Sequence, residues 1–116
     1  MSISRAKNYY LGQNGSNRMN CAQAVICAFK ENFNLKDELI ELFRAYGGGN
    51  APDGLCGAFF AAKYILENNK SDDYIELEKF FIEHAGSLKC RDIKGLRKLS
   101  CVGCVEKSAE FLGKLG

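Results

Sequence analysis

Residues 55–66 read Leu55-Cys56-Gly57-Ala58-Phe59-Phe60-Ala61-Ala62-Lys63-Tyr64-Ile65-Leu66, apolar nearly all round with Lys63 the only charge. A helix of that composition has no water-facing side and belongs in the centre of a helical protein. Its longest apolar run, Leu55 to Ala62, is too short to span a bilayer. The rest of the chain is therefore expected to pack around this segment.

Before it, Asn50 to Gly54 forms a tight loop around Pro52, the only proline of the chain. Gly47-Gly48-Gly49 ends the preceding element, because glycine accepts the left-handed C-terminal position and allows close approach. That element starts at Asn34 or Asp37. It repeats Leu39, Leu42, Phe43 and Tyr46 at i, i+3, i+4, i+7, the spacing of a helix face turned to a core. Further upstream, Asn20 with Gln23 three residues later has the form of a capping box. The helix it starts is expected to run to about Phe33, with Ala22, Ile26, Phe29 and Phe33 as its apolar stripe. Ile3 to Leu11 reads as a short helix with Ile3, Ala6 and Tyr10 on one side, ended by the polar segment Gly12 to Asn17.

After it, Ser71 is expected to cap a helix to about Ala85, with Leu77, Phe80, Phe81 and His84 inward and Gly86 as its stop. Cys90 to Leu99 is basic and holds a short helical turn. Ser100 caps a last helix with Val102, Val105, Ala109 and Leu112 at helical spacing. No stretch alternates with period two. The expected fold is all-α, a single-domain compact bundle of about six helices over residues 1–116.

Composition narrows the function. The chain has 116 residues, 47% of them hydrophobic, which supports a core without staples. A net charge of +2 points to neither a nucleic-acid binder nor an acidic scaffold. The N-terminus, Met1 to Lys7, lacks the apolar run of a signal peptide. A cytoplasmic location is expected, where thiols stay reduced. Six cysteines in such a chain then point to metal binding, catalysis or redox sensing rather than to structural disulfides.

Three of them share a position. Cys21 follows the cap Asn20, Cys56 follows the Asp53-Gly54 turn, and Cys101 follows the cap Ser100. Unpaired backbone N–H groups and the helix dipole stabilise a thiolate at such a place. Glycines at 54 and 57 bracket Cys56 and let a backbone or ligand approach closely. Cys90 lies among Lys89, Arg91, Lys94, Arg97 and Lys98, positive charge that favours its thiolate. The bland reading of that segment is a solvated basic face. It carries no interleaved aromatic residues of a nucleic-acid surface.

Cys101 and Cys104 form a CxxC at a helix start, a redox-dithiol spacing, but no second CxxC exists to complete a zinc site. Cys27, mid-helix between Ile26 and Ala28, reads as structural. His84, the only histidine, reads as a satisfied core residue, with a Cys–His pair left open.

These residues resemble a known family, the proteins named for the cysteine pattern C_GCAxxG_C_C and described as redox-active. The likeness runs through Asn20-Cys21-Ala22-Gln23-Ala24-Val25 and through Gly47-Gly48-Gly49 with Gly54-Leu55-Cys56-Gly57-Ala58. It continues in Gly86-Ser87-Leu88 with Cys90-Arg91-Asp92-Ile93 and Gly95, and ends in Cys101 with Val105, Ser108 and Ala109. It covers about residue 12 to the C-terminus. Ala61 stands where the family has glycine, and Cys27 and Cys104 are additions to the four-cysteine set.

The resemblance implies a compact helical protein with Cys21, Cys56, Cys90 and Cys101 as the functional set. Two chemistries fit that set. In the first, Cys56 attacks a disulfide or oxidant and Cys21, Cys90 or Cys101 resolves it, the partner being a redox protein or a small thiol or disulfide. Cys104 is a further resolving thiol for Cys101, or a spare ligand. In the second, Cys21, Cys56, Cys90 and Cys101 converge as a Cys₄ site for zinc or an iron–sulfur cluster. A third role, docking of a partner through the basic Cys90 segment, needs no thiol chemistry. No nucleic-acid or membrane partner is expected.

Overall fold

The helix starts come from local polar chemistry. Asn20 accepts the Gln23 N–H at 2.7 Å, and the Gln23 side chain accepts the Asn20 N–H at 3.3 Å, closing the capping box. The same Asn20 side chain donates to the Phe43 and Arg44 carbonyls at 3.2 and 2.9 Å. Gln23 donates to the Ile40 carbonyl at 2.8 Å. One polar pair thus starts a helix and ties it to the 38–46 segment. Asn20→Ala is expected to cost about 1–2 kcal/mol, the loss of a cap plus stranded carbonyls. The check is a lower urea midpoint at unchanged slope.

The computed structural model describes residues 2–12, 19–47, 50–69 and 72–115. Among them are seven α-helices: α1 Ser2–Leu11, α2 Cys21–Ala28, α3 Glu38–Leu42, α4 Gly57–Asn68, α5 Tyr74–Ala85, α6 Cys90–Leu96 and α7 Cys101–Leu115. Tight 3₁₀ turns occupy Phe43–Tyr46 and Pro52–Gly54. The described residues contain no strand, only one antiparallel bridge between Leu55 and Lys89. The radius of gyration is 12.5 Å, close to the roughly 13 Å of a compact domain of this length. The all-α expectation holds, with seven helices in place of about six because Cys90–Leu96 is a helix in its own right.

The core is built around two helices. In α4, Gly57, Ala58, Phe59, Ala61, Ala62, Ile65 and Leu66 are buried, as its composition requires. Ala61 is packed at 0% exposure. The eight-residue α2 is enclosed on nearly every side, by α1, α4 and α7. Its buried residues include Gln23, Ala24 and Val25, so the single stripe expected there was too narrow. Small alanines at 22, 24 and 28 let those neighbours close on the backbone.

Two boundaries differ from expectation. α2 ends at Ala28, not near Phe33, and the chain continues in hydrogen-bonded turns to Asn34, which adopts a left-handed φ of 57°. Asparagine tolerates that conformation, and the turn delivers Leu35 into the core. The 39–46 segment changes from α to 3₁₀ at Phe43, which shifts the helical phase. Phe43 is buried at 1% exposure while Leu42 is 52% exposed. Phe43 packs on Phe60 and Tyr64 with ring centroids 5.7 and 5.1 Å away, fastening this segment to α4.

Gly47 is extended (φ −84°, ψ 163°), so it is no left-handed cap. It is small because Asn20 fills the space where a side chain would stand: a Cβ there would lie 2.6 Å from the Asn20 Cβ. Gly48, Gly49, Ser71 and residues 13–17, to which turn and cap roles were assigned, lie outside the described residues. Gly86 does end α5 in a left-handed conformation, φ 87°.

Candidate functional site

Four helix beginnings meet at one cavity of about 440 Å³. Cys21, Cys90 and Cys101 are the first residues of α2, α6 and α7, and Cys56 is the N-cap of α4. All four line the cavity, and Cys104, one turn along α7 from Cys101, joins them. Tyr10, Met19, Ile93 and Leu99 supply apolar walls, and Lys94 is the only cation among the lining residues.

The local sequence explains each placement. Ser100 caps α7, its Oγ accepting the Gly103 N–H at 3.0 Å, and this presents Cys101 at the exposed rim. The Leu55–Lys89 bridge, with the Cys56 N–H donating to the Leu88 carbonyl at 2.8 Å, sets two helix starts side by side. Cys56 and Cys90 each follow that bridge by one residue. Gly57 admits Cys21: a Cβ on Gly57 would stand 2.7 Å from the Cys21 Sγ and 2.6 Å from the Tyr46 carbonyl oxygen. The Met19 N–H donates to the Tyr9 carbonyl at 2.9 Å, which brings Tyr10 and Met19 over the site.

The thiols are not equivalent. A hydrogen bond from the Cys104 thiol, assisted by the backbone N–H groups of Phe59 and Ala58 at the start of α4, lowers Cys56 to about 7 against the opposing effect of burial. Cys104 moves the opposite way, held protonated first by that hydrogen bond, then by burial, then by the surrounding thiols. The pair carries one readily lost proton, and the charge it leaves resides on Cys56.

Cys90 corrects an expectation. Burial pushes its thiol up and outweighs the pull of Lys94. The other basic residues of the segment, Lys89, Arg91, Arg97 and Lys98, are exposed and stand outside the cavity lining, so they form a solvated face.

The four cysteines singled out in the sequence all line this cavity, although only three of them were expected at helix starts. Cys104, expected as a further resolving thiol for Cys101 or a spare ligand, is itself a wall of the site, the i, i+3 spacing placing both on one helix face. Tyr10 and Met19 carried no local signal, since only the packing of α1 against α2 and α7 brings them there. Cys27 is half-buried and lies away from the cavity. His84 is half-buried too. It donates through Nδ1 to the Phe80 carbonyl at 2.9 Å and is not among the residues lining the cavity, so no Cys–His pair forms there. All six cysteines are thiols, none joined in a disulfide. Among the described residues, no three His, Cys, Asp or Glu side chains are set to hold a metal ion. Nor is any helix among them long and apolar enough to cross a membrane.

Fold and site together define a class: a small all-α protein that gathers thiols from four helix beginnings into one cavity. Residues 19–115 match the family model described as "Putative redox-active protein (C_GCAxxG_C_C)", and the chain belongs to that family. No curated protein and no solved structure matches it.

Proposed function

We propose that the cavity performs thiol–disulfide exchange with a low-molecular-weight disulfide, making the protein a thiol-dependent oxidoreductase of a reducing compartment such as the cytoplasm. The gathering of Cys21, Cys56, Cys90, Cys101 and Cys104 around one cavity carries this reading. Cys56 is the attacking group. About half of it is thiolate at neutral pH without a base, which accounts for a site without histidine. Its thiolate displaces one half of the incoming disulfide as a thiolate, which takes a proton from water. A neighbouring thiol then displaces the other half and leaves a protein disulfide.

Substrate size follows from access. Cys56 is only 5% exposed, and the cavity falls in the roughly 300–1,000 Å³ range of small-molecule sites. A folded protein's disulfide does not reach a thiol so placed. A small disulfide bearing a carboxylate gains the Lys94 ammonium and the positive helix beginnings as partners.

The test is the pH dependence of the reaction of reduced protein with a small aromatic disulfide. The thiolate fraction of Cys56 falls as pH drops through its lowered value. The fast phase is therefore expected to be half-maximal near pH 7 and level above pH 8. Half-maximal reaction near pH 9 overturns the assignment of Cys56. So does tightly held zinc or iron in anaerobically purified protein, if Cys56 becomes reactive only after the metal is removed.

A further inference from the structure

We infer that Cys104, which lies outside the four-cysteine pattern of the family, is the thiol that resolves the mixed disulfide on Cys56. The exchange product is then a Cys56–Cys104 disulfide rather than the Cys101–Cys104 bond that a CxxC spacing suggests. This rests on the exchange reading above and names the second thiol in it.

Cys56 at the cap of α4 and Cys104 on the inner face of α7 both line the cavity, and both are buried, 5% and 2% exposed. Cys104 is also the side chain that acts most strongly on the Cys56 thiol, and Cys56 on Cys104. Cys101 stands at the exposed rim of the same helix, and Cys90 feels Cys56 only through charge. A disulfide requires the two sulfurs to close to about 2 Å, which favours the pair that interacts most directly within the shared cavity. Cys21 is the competitor by position, with its sulfur packed against Gly57.

The same interaction orders the two steps. Before reaction, the charge on Cys56 holds the proton on Cys104, so Cys104 does not compete for the substrate. When Cys56 takes one half of the disulfide, its sulfur becomes neutral. The charge that retained the Cys104 proton is gone, and Cys104 ionises more readily. Its sulfur attacks the Cys56 sulfur and breaks the mixed disulfide. The departing thiolate accepts the proton that Cys104 gave up. One substrate disulfide yields two thiols, and two protein thiols yield one protein disulfide.

Fully reduced wild type, Cys104→Ser and Cys104→Ala are mixed with excess glutathione disulfide, quenched in acid, alkylated and mapped by mass spectrometry. Wild type is expected to yield the Cys56–Cys104 bond with no glutathione retained on Cys56. Both variants are expected to stop with glutathione on Cys56 as the main product. Serine still donates to Cys56 and alanine does not, so the fast phase shifts to higher pH only in the alanine variant. If either variant closes Cys56 onto Cys21, Cys90 or Cys101 as fast as wild type forms its bond, the assignment of Cys104 falls and the exchange reading stands. If Cys56 takes up no glutathione in any form, the exchange reading itself fails.

Discussion

Gly57→Ala is expected to destabilise the protein by about 2–3 kcal/mol, the upper part of the range for overpacking a close-packed interior. General rules predict the opposite sign. Gly57 is the first residue of α4, and replacing a helical glycine by alanine ordinarily gains up to about 1 kcal/mol through lower chain entropy and higher helix propensity. The decisive numbers are the two distances below 3.0 Å. The new methyl would stand 2.6 Å from the Tyr46 carbonyl oxygen and 2.7 Å from the Cys21 Sγ, with the Ala22 Cβ at 3.3 Å. The first obstacle is backbone and the third is rooted in the buried helix α2, so neither gives way cheaply. Only the Cys21 sulfur can turn aside, and turning it moves it from its place in the cavity wall. Two readouts follow: a lower urea midpoint, and altered alkylation of Cys21 while Cys56 remains reactive. A stability gain in Gly57→Ala would show that α2 and α4 do not approach as closely as described.

That close approach also marks how far the chain could be read without coordinates. The burial of 55–66, the Asn20–Gln23 capping box, the Ser100 cap and the glycine stop at Gly86 were legible because each depends on neighbours within a turn or two. The same holds for Cys21, Cys56 and Cys101 at helix beginnings. What was not legible depends on partners distant in sequence. Cys90 starts a helix because Leu55 and Lys89 pair across 34 residues, and its flanking lysines gave the opposite sign for its thiol because they reveal charge but not burial. The role of Gly47 is set by Asn20, 27 positions earlier, and the local glycine run suggested a cap instead. Cys104 looked supernumerary because a CxxC invites pairing with Cys101. Its actual neighbour comes from the start of α4.

Cys56→Ser is expected to slow the reaction with a small disulfide at pH 7 by about 50-fold, and the magnitude follows from ionisation alone. A thiol lowered to about 7 is half thiolate at that pH, whereas one at the unperturbed 9.0 is about 1% thiolate. Removing Cys56 leaves the reaction to thiols without that advantage, so the deficit shrinks as pH rises and is nearly closed by pH 9. A shape-conserving change at one N-cap whose backbone remains intact costs little stability, and unfolding midpoints are expected to stay close to wild type. The variant also tests the coupling from the other side. With an uncharged hydroxyl at position 56, the thiolate that accepts the Cys104 hydrogen bond is replaced by a weaker neutral acceptor and its charge is lost, while burial and the neighbouring cysteines continue to hold the Cys104 thiol up. Cys104 in Cys56→Ser is therefore expected to alkylate faster than in wild type above pH 8 yet remain slow at pH 7. A reaction at pH 7 as fast as wild type would assign the attack to another cysteine of the cavity. If Cys104 is not faster in the variant, the proton shared between the two sulfurs, on which the order of the two steps depends, is not there.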